Sequence, residues 1–155
     1  MKVQSVFALI LVAGGLAFPP GPARAVDGDP PSSSSPELEA GRKAIESRDW
    51  GGAIKSLSAA ERRDSRNADV HNLLGYAYRN SGQLEPALKH YQRALQLNPR
   101  HLGAHEYIGE AYLMAKNLAK AEEHLAALKN FCLRVCGERD DLEKKVADYK
   151  RNGGK

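Results

Sequence analysis

HNLLGYAYRNSGQLEPALKHYQRALQLNP, residues 71–99, is the stretch whose reading decides the fold. In it Leu74-Gly75 is followed by Tyr78, then by Ala87, Tyr91, Ala94 and a closing Pro99. Displaced by 34 residues in either direction, the pattern returns: Gly41, Gly75 and Gly109 coincide, as do Ala53, Ala87 and Ala121. Tyr78 aligns with Ala44 and Tyr112, and Tyr91 with Leu57 and Leu125, with no insertion or deletion needed. Small residues at these places let two helix backbones approach closely, while larger residues on either side fill the surrounding grooves. The period divides the chain into units at residues 34–67, 68–101 and 102–135.

The LG-x-x-Y start, the spaced alanines and the terminal proline, repeated in strict phase, resemble the tetratricopeptide repeat. The resemblance implies an all-α solenoid of three helix-turn-helix units whose first helices line a concave groove that binds a peptide or partner protein. The matching positions are Leu38, Arg42 and Ile45 in the first unit and Asp69, Asn72, Tyr76 and Arg79 in the second. Glu106, Glu110 and Leu113 complete the set in the third. Tyr76 is the anchor, being aromatic, central and needing only two torsions to be ordered. Asn72 is placed to bond a peptide backbone, and Arg42 and Arg79 to meet a carboxylate. The chaperone-type carboxylate clamp calls for more Lys, Arg and Asn, and Glu106 and Glu110 oppose it. The expected ligand is therefore apolar at the centre and basic towards the third unit. Binding on the convex side and self-association are the other uses open to such a scaffold.

Local signals place the helices. Ser35 is an N-cap before Pro36, with Glu37 and Glu39 near the positive end of the dipole. Trp50 shares a column with Leu84 and Leu118 and is expected to pack beneath the neighbouring unit, despite Gly51-Gly52 in the same helix. Ser81-Gly82 makes the inner turn of the second unit. In the third unit Leu133 replaces the closing proline, so its last helix is expected to run on to Gly137, with that glycine left-handed. Residues 136–151 then form a capping helix, with Leu142, Val146 and Tyr149 on one face. Leu142 continues the column of Leu74 and Ile108, and Glu143 stands where a glycine would admit another helix. That suits the polar outer face of a terminal cap.

Ahead of the repeats, Lys2, the apolar run at residues 6–18 and the small residues Ala23 and Ala25 have the parts of a secretory signal peptide. Cleavage is expected between Ala25 and Val26, followed by a flexible linker at residues 26–35, VDGDPPSSSS. The apolar run of 13 residues falls short of the roughly 20 that span a bilayer. The expectation is an exported, periplasmic protein with no stable membrane insertion after cleavage. Removing Lys2 and Arg24 lowers the formal charge from +4 to +2, and the remaining basic residues are mixed with acids. No Lys/Arg stripe with interleaved aromatics appears, which argues against nucleic acid.

Two constellations bear on chemistry. His71 and His105 are 34 apart, as are His90 and His124, so repeat phase explains these pairs. His101 and His105 have helical ligand spacing, but no carboxylate or thiol joins them, so no metal or other cofactor is expected there. Cys132 and Cys136, the only cysteines, would meet an oxidising compartment. A structural disulfide stapling the third unit to the cap is the first reading, contributing at most about 2 kcal/mol for so small a loop. A redox pair and a soft-metal site, with His124 as third ligand, are the alternatives and define a second functional class, a thiol- or metal-handling accessory protein. No nucleophile elbow, phosphate loop or H-E-x-x-H is present, so no enzyme activity is expected. The tail, C-x-x-x-C followed by DDL and a later Tyr, resembles that of small exported bacterial tetratricopeptide proteins.

Overall fold

The computed structural model describes residues 35–154; the leader, its cleavage site and all of the linker except Ser35 lie outside them. Seven helices follow one another, with no strand among the described residues. They are α1 (Pro36–Glu46), α2 (Trp50–Arg63), α3 (Ala68–Asn80), α4 (Leu84–Leu97), α5 (Leu102–Met114), α6 (Leu118–Phe131) and α7 (Gly137–Arg151). None of the described helices is long and apolar enough to cross a membrane.

Helix starts are set by side chains that accept otherwise orphaned N–H groups. Ser35 caps α1, Asp49 caps α2, Asn67 caps α3 and Asn117 caps α6. His101 caps α5 through Nδ1, which accepts from Ala104 N–H at 3.2 Å. The inner turns share one left-handed residue each, at Arg48 (φ 58°), Gly82 (φ 81°) and Lys116 (φ 57°), again 34 apart. At each, the following N–H reaches back to the carbonyl of Ala44, Tyr78 or Tyr112 at 2.8–2.9 Å. That bond closes a Schellman turn.

The curvature follows from which helices touch. α1, α3, α5 and α7 contact one another in series, whereas α2, α4 and α6 touch only the odd helices beside them. The even helices are therefore splayed on the outside, and the odd helices form the inner, concave layer. The core runs along the solenoid as three clusters. One centres on Leu38, Leu57 and Leu74, the next on Tyr91 and Ile108, and the last on Leu128, Leu142 and Val146.

The small-residue columns are where the helices meet. A Cβ added at Gly41 would lie 2.5 Å from Leu57, and one at Gly75 would lie 2.6 Å from the Tyr91 ring. In the third unit the close neighbour of Gly109 is Leu142 of α7, at 2.6 Å, rather than Leu125 of its own second helix. In this unit α7 thus fills the place that the second helix fills with Leu57 and Tyr91 in the other two.

Three expectations need correction. The last helix of the third unit does not continue to Gly137; α6 ends at Phe131, with Cys132 as its C-cap. Gly137 is not left-handed, but opens α7 with Cys136 as N-cap. The reason is Arg139, whose guanidinium donates to the carbonyls of Cys132 (3.2 Å) and Arg134 (2.9 Å) and so supplies the donors that another helical turn would have given. Leu38, placed in the groove by its column, is instead wholly buried in the first core cluster.

Candidate functional site

The concave layer carries a row of aromatic rings. Trp50, at the start of α2, meets Tyr76 of α3 edge-on, with centroids 6.1 Å apart and planes at 67°. Tyr76 in turn packs on Tyr107 of α5 at 5.0 Å, and Tyr107 lies 6.3 Å from the buried Tyr91. The Arg79 guanidinium stands 5.5 Å from both the Tyr76 and the Tyr107 ring centroids, within cation–π range. Trp50 is therefore half-buried as part of this row.

Below the rings lies an ionic cluster. Arg79 donates to one oxygen of Glu110, and Lys145 of α7 donates to the other. Arg79 and Glu110 side chains are only 11% and 8% exposed, so the pair has lost most of its water and depends on this mutual satisfaction. The Glu110 charge is thus already compensated from two elements. Glu106, one turn earlier, faces Glu110, Asp141 and Glu138, with Lys145 the one cation among its charged neighbours. Burial, then repulsion from Glu110 and Asp141, pushes its carboxyl up to about 7. Burial, then Glu106, likewise pushes the Tyr107 hydroxyl up to about 12.

Asn72, on α3 one turn before Tyr76, is buried, and its Oδ1 has no hydrogen-bond partner. An unpaired buried acceptor costs about 1–3 kcal/mol, and this oxygen is closed to solvent.

The structure sorts the sequence-derived groove residues into two groups. Tyr76, Arg79 and Glu110 come together, and Asn72 and Glu106 sit on the same two helices one turn earlier. Arg42 stays apart, exposed and paired only with Glu39 of its own helix at 3.9 Å. Asp69 turns to His101 Nε2 at 2.9 Å, tying α3 to the start of α5. That contact and the N-cap role use both nitrogens of His101, so it does not share a ligand site with His105. Sequence reasoning missed Tyr107 and Lys145. Tyr107 was within reach as an aromatic next to the Glu106 column; Lys145 had no local signal.

Cys132 and Cys136 face each other across the α6–α7 turn with sulfurs 2.10 Å and Cα atoms 5.8 Å apart, and both are buried in the last cluster. His124 directs Nδ1 to His105 at 2.9 Å.

The tetratricopeptide repeat family profile matches residues 68–101. Protein O-mannosyl-transferase Tmtc3 of Drosophila melanogaster is 31% identical over 75 residues, covering 48% of this chain and 8% of that protein. A TPR repeat-containing protein of Borreliella burgdorferi is 31% identical over 91 residues, covering 58% of this chain and 37% of the relative. The matches thus span well under half the length of these relatives. Among solved structures, the TPR2B domain of yeast Sti1 in complex with an Hsp70 peptide superposes with TM-score 0.66 at 20% identity, covering 72% of this chain and 94% of that one. The first TPR of Spaghetti (RPAP3), bound to the HSP90 peptide SRMEEVD, gives 0.67 at 17%, with 74% and 90% coverage. The Yersinia enterocolitica type III secretion translocator chaperone SycD gives 0.69 at 16%, with 77% and 84% coverage. At these identities the structural likeness speaks for the fold.

Proposed function

We propose, because the chain is a tetratricopeptide-repeat solenoid, that it binds a segment of a partner protein across its concave face, as a scaffold or adaptor in an assembly of the bacterial cell envelope. The observation that carries the reading is the Trp50–Tyr76–Tyr107 row, flanked by the Arg79 guanidinium. Rings give apolar contact at low ordering cost. Domains of the same fold are known in complex with Hsp70 and bound to an HSP90 peptide, which supports a peptide-binding use of this scaffold.

Charge narrows the ligand. Glu110 is compensated by Arg79 and Lys145, but Glu106, Glu138 and Asp141 leave the α5–α7 end acidic. The bound segment is therefore apolar or aromatic where it meets Tyr76 and basic towards α7. The envelope location rests on the signal-peptide pattern ending at Ala25, and in that compartment Cys132 and Cys136 serve as a staple between α6 and α7. The role is binding rather than catalysis.

Affinity recovery from native envelope extract tests both functional readings. With Tyr76→Ala, partner recovery is expected to fall at least about tenfold while helicity and melting are kept, in line with loss of an aromatic anchor. The double substitution Cys132→Ser, Cys136→Ser is expected to leave recovery unchanged. Undiminished recovery with Tyr76→Ala would overturn the groove reading. Loss of recovery in the folded double-serine variant would favour the thiol- or metal-handling reading instead.

A further inference from the structure

We propose that Glu61, His71 and His90 form a binding site for a divalent transition-metal ion of the zinc class, joining the first unit to the second. The three residues come from α2, α3 and α4, and their ligand atoms lie within 4.8 Å of one another. His71 Nδ1 is 3.3 Å from His90 Nδ1 and 3.5 Å from Glu61 Oε1. Zinc bonds of about 2.0–2.1 Å in a tetrahedral arrangement separate neighbouring ligand atoms by about 3.3 Å. Two of the three unliganded spacings already match that bite, and the third is within 4.8 Å.

The protonation pattern points the same way. His71 Nε2 lies 3.0 Å from the carbonyl of Ser65, which can only accept, so Nε2 carries the hydrogen. In the neutral ring, Nδ1 then presents a lone pair to His90 and Glu61. This is the second-shell arrangement by which a backbone carbonyl orients a metal-binding imidazole. A hydrogen bond from His90 Nδ1–H would satisfy one contact, but the Glu61 carboxylate would still face the same lone pair, acceptor against acceptor. A proton on His71 Nδ1 can be directed at only one of these neighbours, whereas a metal ion engages all three ligands at once. The His90 plane is held by stacking on Tyr78, with centroids 5.3 Å apart and planes at 12°. Glu61 leaves 32% of its side chain exposed, so an ion enters from solvent and a water completes the coordination.

The chain contains its own control one repeat later. His105 Nε2 faces the Pro99 carbonyl at 3.0 Å, and Tyr112 stacks on His124 at 5.7 Å with planes at 11°. Here, however, Leu95 stands 34 residues after Glu61, and the two Nδ1 atoms are 2.9 Å apart, an ordinary hydrogen bond. The same scaffold without the carboxylate has two nitrogens and no anion. The charged third ligand therefore distinguishes a site from a structural pair.

The test uses the untagged full chain, stripped of metal, with Zn2+ followed by titration calorimetry and Co2+ by its visible absorption. Wild type is expected to bind one ion, with the intense d–d bands of four-coordinate cobalt. Because loss of an outer-shell partner alone weakens metal sites about 10–100-fold, removal of a ligand is expected to cost at least about tenfold. Glu61→Gln, which keeps size and hydrogen bonding, and His90→Ala should each show that loss. His124→Ala should leave affinity and spectrum unchanged. Absence of one-to-one binding in wild type, undiminished binding in Glu61→Gln, or loss in folded His124→Ala would each overturn the proposal.

Discussion

Glu106 is half-protonated near neutrality, because burial and then Glu110 and Asp141 hold its carboxyl at about 7. The unfolded chain releases the same proton near the ordinary carboxyl value of 4.5. Between those values the folded state binds more protons, so stability from this group is complete below about pH 4.5 and is lost as pH rises to about 7. Glu106→Gln keeps the neutral shape and is expected to raise urea stability by about 1 kcal/mol at pH 8, the full shift being discounted for groove water. At pH 4 the two proteins should unfold alike. Equal gains at both pH values would show that packing, not charge, had changed. The 34-residue phase made it legible which positions are equivalent between units, but not what their side chains meet. Glu110, Arg79 and Lys145 lie 31 and 35 positions apart in sequence, and their mutual compensation is a property of the fold alone. Leu38 shows the same limit, since its column faces inward in the second and third units but is core in the first.

At the scale of elements, α7 is bound by Leu142 and Val146. Its helical face was readable from spacing, and both residues are buried as that spacing implies. Leu142 fills the space above Gly109 and is fully buried. Leu142→Ala is expected to cost about 2–5 kcal/mol in urea unfolding, the usual range for a buried leucine. A cost below about 1 kcal/mol would mean that α7 docks through its ion pairs instead. The neighbouring turn was not readable. Leu133 and Val135 prolong an apolar pattern on paper, yet they are 89% and 97% exposed. What ends α6 is a guanidinium seven residues after its C-cap, and side-chain periodicity carries no record of that.

Across the whole molecule the histidines oppose Glu106. Burial, then His105, pushes the His124 imidazole down to about 4, and burial also lowers His105. Between the ordinary imidazole value of 6.5 and about 4, the unfolded chain takes up a proton that folded His124 refuses. Stability from this pair is therefore complete above about pH 6.5 and is lost as pH falls towards 4. His124→Gln is expected to flatten the decline in urea midpoint between pH 7 and pH 4.5, and an unchanged slope would place acid sensitivity elsewhere. The solenoid was legible because every unit repeats the same crossing, so few residue types carried the architecture. The paired histidines were legible as repeat equivalents; the carboxylate that sets one pair apart belongs to the preceding unit.

The chain has one tryptophan, and it stands at the end of the ring row, 6.1 Å from Tyr76. A segment settling on that row changes the polarity around the only indole in the molecule. Its emission colour and intensity thus report occupancy directly, giving the protein an optical gauge of its own binding without any attached dye.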